Sequence, residues 1–142
     1  MDPKSIEDYE KIREHRNKNN HFARLLGIET TVVREGYAEG YMEYRPDLTN
    51  PIGVVHGGAL FTMIDAIGGS AAASHGIHCA TSTITVQYLR PAGAQGKFRC
   101  VARELKAGRK ISSVQAEIYD EEDNLLTVGL CEYVRIESKP IL

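Results

Sequence analysis

From Gly57 to Ser74 the chain runs through eighteen residues with a single ionisable side chain, Asp65. Leu60, Phe61, Ile64 and Ile67 recur at helical spacing, and Gly68, Gly69, Ser70, Ala71, Ala72 and Ala73 fill the second half. This pattern predicts one long helix, apolar on nearly every side, that other elements must cover. Glycine costs roughly 1 kcal/mol against alanine inside a helix, so Gly68-Gly69 implies close approach of a strand or another chain. A carboxylate between Met63, Ile64, Ala66 and Ile67 is costly to desolvate unless it is paired, hydrogen-bonded or functional. Otherwise Asp65 caps a break or faces solvent on an exposed stripe.

The flanking segments supply the cover. Residues 4–26 read as helical in two pieces broken near Asn17 to Asn20, with Gly27 as the C-terminal cap. Residues 28–45 read as a hairpin about Gly36, and Pro46 to Gly53 as a loop dense in turn residues. Four strands follow the helix: Ala80 to Arg90, Gly96 to Lys106, Lys110 to Asp120 and Asn124 to Ile136, with Ala107-Gly108-Arg109 as one of the hairpin turns. In the third of these, Val114, Ala116 and Ile118 alternate with Ser113, Gln115 and Glu117, one buried face against one polar face. Helix, two strands, long helix and four strands with short turns make an α+β class with an antiparallel sheet. Strands of about 11 residues span ~36 Å and the helix ~27 Å, so the twisted sheet can curl around the helix. With 142 residues there is material for one core: an N-terminal helical segment over residues 1–26 and a single domain over 27–142.

Charge and cysteine content narrow the partners. A net charge of −2 gives no reason to expect nucleic-acid binding. Cys79, Cys100 and Cys131 are too scattered for a zinc site or a disulfide framework, which suits a reduced, cytoplasmic chain. The charged N-terminus does not read as a signal peptide, and no apolar stretch approaches the ~20 residues that cross a bilayer. His75, His78 and Cys79 read as connector residues after the helix, and no metal is expected.

At the helix start, Val55-His56-Gly57-Gly58 lets a ligand approach backbone N–H groups that have no partner within the helix. Those donors favour an oxygen that becomes anionic during acyl transfer; the plain alternative is a tight turn with a solvated histidine. Nine positions separate His56 from Asp65, which in a helix is two and a half turns and ~13.5 Å. The two then point to opposite sides and cannot form one compact group within a chain. Either they are unrelated, or each meets its complement on a second subunit.

Asn50-Pro51-Ile52-Gly53-Val54-Val55-His56-Gly57-Gly58 followed by Ala59-Leu60-Phe61-Thr62-Met63-Ile64-Asp65 resembles the signature of hotdog-fold acyl-CoA thioesterases of the phenylacetate-degradation type. Tyr88-Leu89-Arg90-Pro91-Ala92 and the Gly108-Arg109-Lys110 turn match the same pattern, and the resemblance covers roughly residues 20–137. It implies a hotdog fold, in which a curved antiparallel sheet wraps a central helix, and dimers with a continuous sheet, commonly paired again into tetramers. It also implies Asp65 as general base or nucleophile, the Gly57 N–H as the group polarising the thioester carbonyl, and Asn50 and His56 as residues holding thioester and water. By the same resemblance Thr81 is the best match to an assisting hydroxyl, with Thr83, of the same strand parity, as the fallback. The phosphates of coenzyme A call for cations, and Arg90, Lys106, Arg109 and Lys110 are available at two strand ends and the hairpin around Gly108. No cofactor is implied.

Two other readings use the same pocket. A hotdog hydratase or dehydratase acting on acyl-CoA or acyl-carrier-protein substrates pairs a histidine with an acid, but the Gly-Gly after His56 favours the thioesterase. A non-catalytic acyl-CoA sensor usually carries a DNA-binding domain, which about 25 leading residues with little basic charge do not make.

Overall fold

The computed structural model describes Pro3 and residues 5–142. Met1, Asp2 and Lys4, where the leading helical segment was expected to begin, lie outside the described residues. Ser5 caps the first helix, α1 (Ile6–Asn19), by accepting from the Asp8 N–H at 3.1 Å. Asn20 makes the expected break. Its N–H bonds the Arg16 carbonyl, closing α1, while its side chain accepts from Ala23 N–H and opens α2 (His21–Leu25). Gly27 follows with φ +76°, ending the segment.

Strands β1 (Glu29–Arg34) and β2 (Tyr37–Glu43) form the first hairpin. The long helix α3 (Gly57–Ala72) comes next and tightens into a 3-10 turn over Ala73–His75. Then follow β3 (Ile77–Tyr88), β4 (Lys97–Ala107), β5 (Ile111–Tyr119) and β6 (Leu125–Pro140). All pairs are antiparallel, in the order β1-β2-β4-β5-β6-β3. The sheet curves around α3, which touches every strand. Strand β3 starts three residues earlier than the sequence pattern indicates, directly after the left-handed Gly76 (φ +88°). His78 and Cys79 are therefore strand residues and not connectors. Among the described residues no helix is long and apolar enough to cross a membrane.

The core lies between α3 and the concave sheet face. Met63, Ile64 and Ile67 pack with Met42, Phe98, Ile118, Leu126 and Tyr133, all buried, each contributing about 1.5–3 kcal/mol. In β5 the alternation holds: Ser112, Val114, Ala116 and Ile118 face inward. The glycine pair also finds its reason within the chain. A Cβ on Gly68 would lie 2.5 Å from the Tyr133 hydroxyl oxygen, and one on Gly69 2.7 Å from Arg16 Nη2. Helix α1 packs on β1, where Asn17 acts as a surrogate strand neighbour, donating to the Thr30 carbonyl and accepting its N–H, each at 2.8 Å.

Candidate active site

Helix α3 is buried except along one stripe: Gly57, Gly58, Phe61, Thr62 and Asp65 remain open or half-open. Asp65 thus combines the two readings left open for it, a hydrogen-bonded carboxylate on a half-open stripe. Met63, Ile64, Ala66 and Ile67 point into the core, while Asp65 faces a polar cleft of about 260 Å³ lined by Arg16, Asn20, Thr62, Cys79, Thr81 and Tyr133, among others. Thr81 Oγ1 donates to Asp65 Oδ1 at 2.7 Å, and Tyr133 donates to the Asp65 backbone carbonyl at 3.0 Å. One carboxylate oxygen is thereby held, and the backbone beneath it is clamped.

Thr81 and Thr83 do not share a face. A register shift lies between them: Thr81 pairs with the buried Tyr133, Thr83 with the adjacent Glu132. Neighbouring residues of β6 point to opposite faces, so the bulge turns Thr83 to the side away from α3. The assumed common parity of these two threonines is therefore wrong.

At the start of α3, His56 is the N-cap, with extended backbone (φ −60°, ψ 135°). The helical-wheel argument drawn from His56 therefore fails, since it is not a helical residue. The separation itself survives, because Gly57 to Asp65 is still ~12 Å of helix rise. His56 Nδ1 accepts from the Gly58 N–H at 2.7 Å, which leaves Nε2 as the outward, proton-bearing nitrogen of the neutral ring. The His56 N–H bonds the Leu48 carbonyl, and the Ala59 and Leu60 N–H groups bond the His56 carbonyl. Of the N–H groups from His56 to Leu60, only that of Gly57 lacks a partner among the described residues. Gly57 lines a second cleft of about 310 Å³, together with Asn50, Val54, Leu60, Tyr88, Arg90 and others. Tyr88 donates to the Gly57 carbonyl at 2.8 Å and lies against the glycine. Asn50 spends its Oδ1 on the N–H groups of Ile52 and Val54, shaping its own loop, and keeps its amide nitrogen free.

The acid and the free amide thus line different clefts with no residue in common. One element links them. Thr81, bonded to Asp65, and Tyr88, bonded to Gly57, both belong to β3, and their partners Tyr133 and Thr127 are both buried, so the two side chains share the helix-facing side. Strand β3 is also the open edge of the sheet, twelve residues long, with most of its residues exposed.

The candidate cations do not gather within one protomer. Lys106, Gly108, Arg109 and Lys110 sit at the β4–β5 hairpin, next to Ile111, which pairs with Val134. Arg90 lies at the far end of β3, bonding Leu126 through its N–H and Asn124 through its side chain. About the full length of β5, ~26 Å, separates the groups, so the joint rim expected from two strand ends and a hairpin is absent in a single chain.

A profile described as the thioesterase superfamily matches residues 52–127. The chain belongs to that superfamily. The acyl-coenzyme A thioesterase PaaI of Escherichia coli is 28% identical over 113 residues, covering 80% of this chain and 79% of its own length. The crystal structure of a thioesterase from Haemophilus influenzae superposes with a TM-score of 0.79 at 28% identity, covering 92% of each chain. For the fold alone, the structure of E. coli PaaI gives a TM-score of 0.88 at 24% identity, covering 92% of this chain and 95% of that one. The architecture is accordingly the hotdog arrangement of the superfamily: one helix in a six-stranded antiparallel wrap.

Within this superfamily member, sequence reasoning overlooked Tyr88, Tyr133 and Arg16 as parts of the clefts. Tyr88 had a signal, since it opens the Tyr-x-x-Pro pattern. Nothing in the sequence separates Arg16 from Lys11, Arg13 and Lys18 on the same charged helix. The cysteines behave as small buried or half-buried groups: burial pushes the Cys100 thiol far up and that of Cys131 to about 11. Among the described residues no group of three or more potential ligands could hold a metal. His75 contacts Glu104 at 2.7 Å, and His78 contacts His15 at 3.1 Å.

Proposed function

We propose that this chain hydrolyses acyl-coenzyme A thioesters in a homodimer, each site combining Asp65 of one protomer with the Gly57 N–H of the other. The observation that carries the reading is the division of the machinery along β3. The acid is tied to that strand at Thr81, and the single unpartnered N–H of the helix start is tied to it at Tyr88. The two ties lie ~23 Å apart along the strand. Antiparallel pairing of two β3 edges about an axis near Ile84 and Thr85 would bring one chain's Thr81 level with the partner's Tyr88. The same pairing satisfies the exposed edge and carries Arg90 to the end of the partner where Lys106, Arg109 and Lys110 stand, forming a rim for the phosphates of coenzyme A.

The chemistry follows from those groups. Asp65, held through one oxygen by Thr81, takes a proton from water with the other as the water oxygen attacks the thioester carbon. The carbonyl oxygen becomes anionic, and the Gly57 N–H at the positive end of α3 stabilises it. The carbon–sulfur bond then breaks, and the proton passes to the departing thiolate. The His56 Nε2–H and the free Asn50 amide are further donors for the thioester or the water. Three free cysteines fit a reducing, cytoplasmic setting.

Mixing two inactive variants tests the shared site. Asp65→Asn removes the base, and Gly57→Pro removes the N–H at the first helical position, where proline is best tolerated. His56 already has the extended backbone that precedes a proline. Random subunit exchange should restore about one quarter of wild-type turnover, one intact site in half of the dimers. No recovery after exchange verified by mass-tagged subunits refutes the arrangement.

A further inference from the structure

Among the described residues Arg16 is the one cation lining the Asp65 cleft, and it comes from α1, outside the residues 52–127 that match the superfamily. Its guanidinium is fixed: Nε donates to Ser70 Oγ at 3.1 Å and Nη2 to the Ala66 carbonyl at 2.9 Å. Ser70 is held in turn by Thr30, at 3.0 Å. The charge rests on Gly69, where any Cβ would lie 2.7 Å from Nη2. No carboxylate stands within ion-pair distance of Arg16 among the described residues, and Nη1 makes no hydrogen bond there. Burial lowers its pKa, opposed by Tyr133, Asp65 and Cys79. A half-buried guanidinium with unused donors and no carboxylate at ion-pair distance is a receptor for an anion.

Its position says which anion. Gly69 lies four residues after Asp65, one turn further along the same face of α3. If the thioester carbonyl sits at Asp65, the guanidinium closes the cleft about 6 Å beyond it, the reach of a chain of roughly four or five carbons. We propose that Arg16 selects the acyl group, binding the terminal carboxylate of a short dicarboxylic acyl thioester of the succinyl or glutaryl class. This rests on the thioesterase reading above and adds its substrate class. The carboxylate would supply Arg16 with the counter-ion it lacks, and the guanidinium would offset the repulsion between that carboxylate and Asp65.

The test compares matched thioesters: glutaryl-CoA against valeryl-CoA and succinyl-CoA against butyryl-CoA, with acetyl-CoA as a further substrate. For the wild type the ratio of kcat/KM, carboxylated over apolar, should exceed about ten, the low end for a hydrogen bond between charged groups. Arg16→Met should bring the ratio to one or below, and Arg16→Lys should keep part of it. Gly69→Ala displaces the guanidinium without deleting it and should also collapse the ratio, so the proposal stays testable if Arg16→Met does not fold. A role confined to anchoring α1 would lower both substrates together and leave the ratio unchanged. Hydrolysis of the apolar thioesters with a wild-type ratio of one or less, or a ratio insensitive to Arg16→Met and Gly69→Ala, overturns this assignment alone. Failure of the wild type to hydrolyse any thioester of the panel overturns it together with the thioesterase reading.

Discussion

Replacing Glu104 by glutamine should loosen the end of the molecule where α3 hands over to β3, and in a pH-dependent way. The Glu104 side chain is only 6% exposed and points inward from β4. It accepts from Ser112, a fully buried hydroxyl, at short range; it contacts His75 Nε2 at 2.7 Å and Arg135 at 3.6 Å. Removing one partner of a buried charged cluster costs about 3–5 kcal/mol, and glutamine keeps an acceptor for Ser112, so about 3 kcal/mol is expected. For a chain of this size that lowers Tm by roughly 10 °C. The hydrogen bond with Glu104 raises the His75 pKa above its usual value, against burial and with the acid's charge adding to it. Burial pushes Glu104 up, but the bonds from His75 and Ser112 and the charges of His75 and Arg135 together bring it below the usual range. The Glu104 contribution is therefore present above about pH 4.5 and lost as pH falls further. The His75 contribution is complete below about pH 6.5 and lost as pH rises through the raised value. The wild-type advantage should peak between those limits and narrow toward pH 8.5. Denaturant melts of both proteins from pH 4 to 8.5 measure it. A difference below about 1 kcal/mol at pH 5.5, or one that grows between pH 6.5 and 8.5, refutes the reasoning.

Two catalytic predictions follow from the clefts. Thr81→Val removes the donor to Asp65 Oδ1 and should reduce kcat about tenfold with little change in Tm, as one charge-assisted hydrogen bond at an open site warrants; an unchanged kcat in steady-state thiol release would detach Thr81 from the reaction. Arg109→Ala, at the free hairpin, should raise KM more for acyl-CoA than for acyl-pantetheine, since only the former carries the nucleotide phosphates; equal effects would mean that Arg109 does not touch them.

Much of the candidate site was legible because its signals are local. An acid alone in an apolar helix, two glycines after a histidine and a Tyr-x-x-Pro strand end are patterns of a few residues, as was the Asn20 break. The errors came from features that depend on distant pairing. A bulge near Ser82 reversed the parity of Thr83, and the sheet order carried Arg90 away from the other cations. Arg16 was unmarked because its distinction lies in the glycine it rests on, fifty-three positions away.

By itself the sequence determined the element order, the inward face of β5 and the residue types available for chemistry, since periodicity and turn preference act over a few bonds. Only the tertiary structure decided that Gly57, of the N–H groups from His56 to Leu60, is the one without a partner among the described residues, that Asp65 faces a polar cleft, and that an arginine lines that cleft. Those outcomes depend on which groups consume one another's hydrogen-bonding capacity and surface, and the partners lie far apart along the chain.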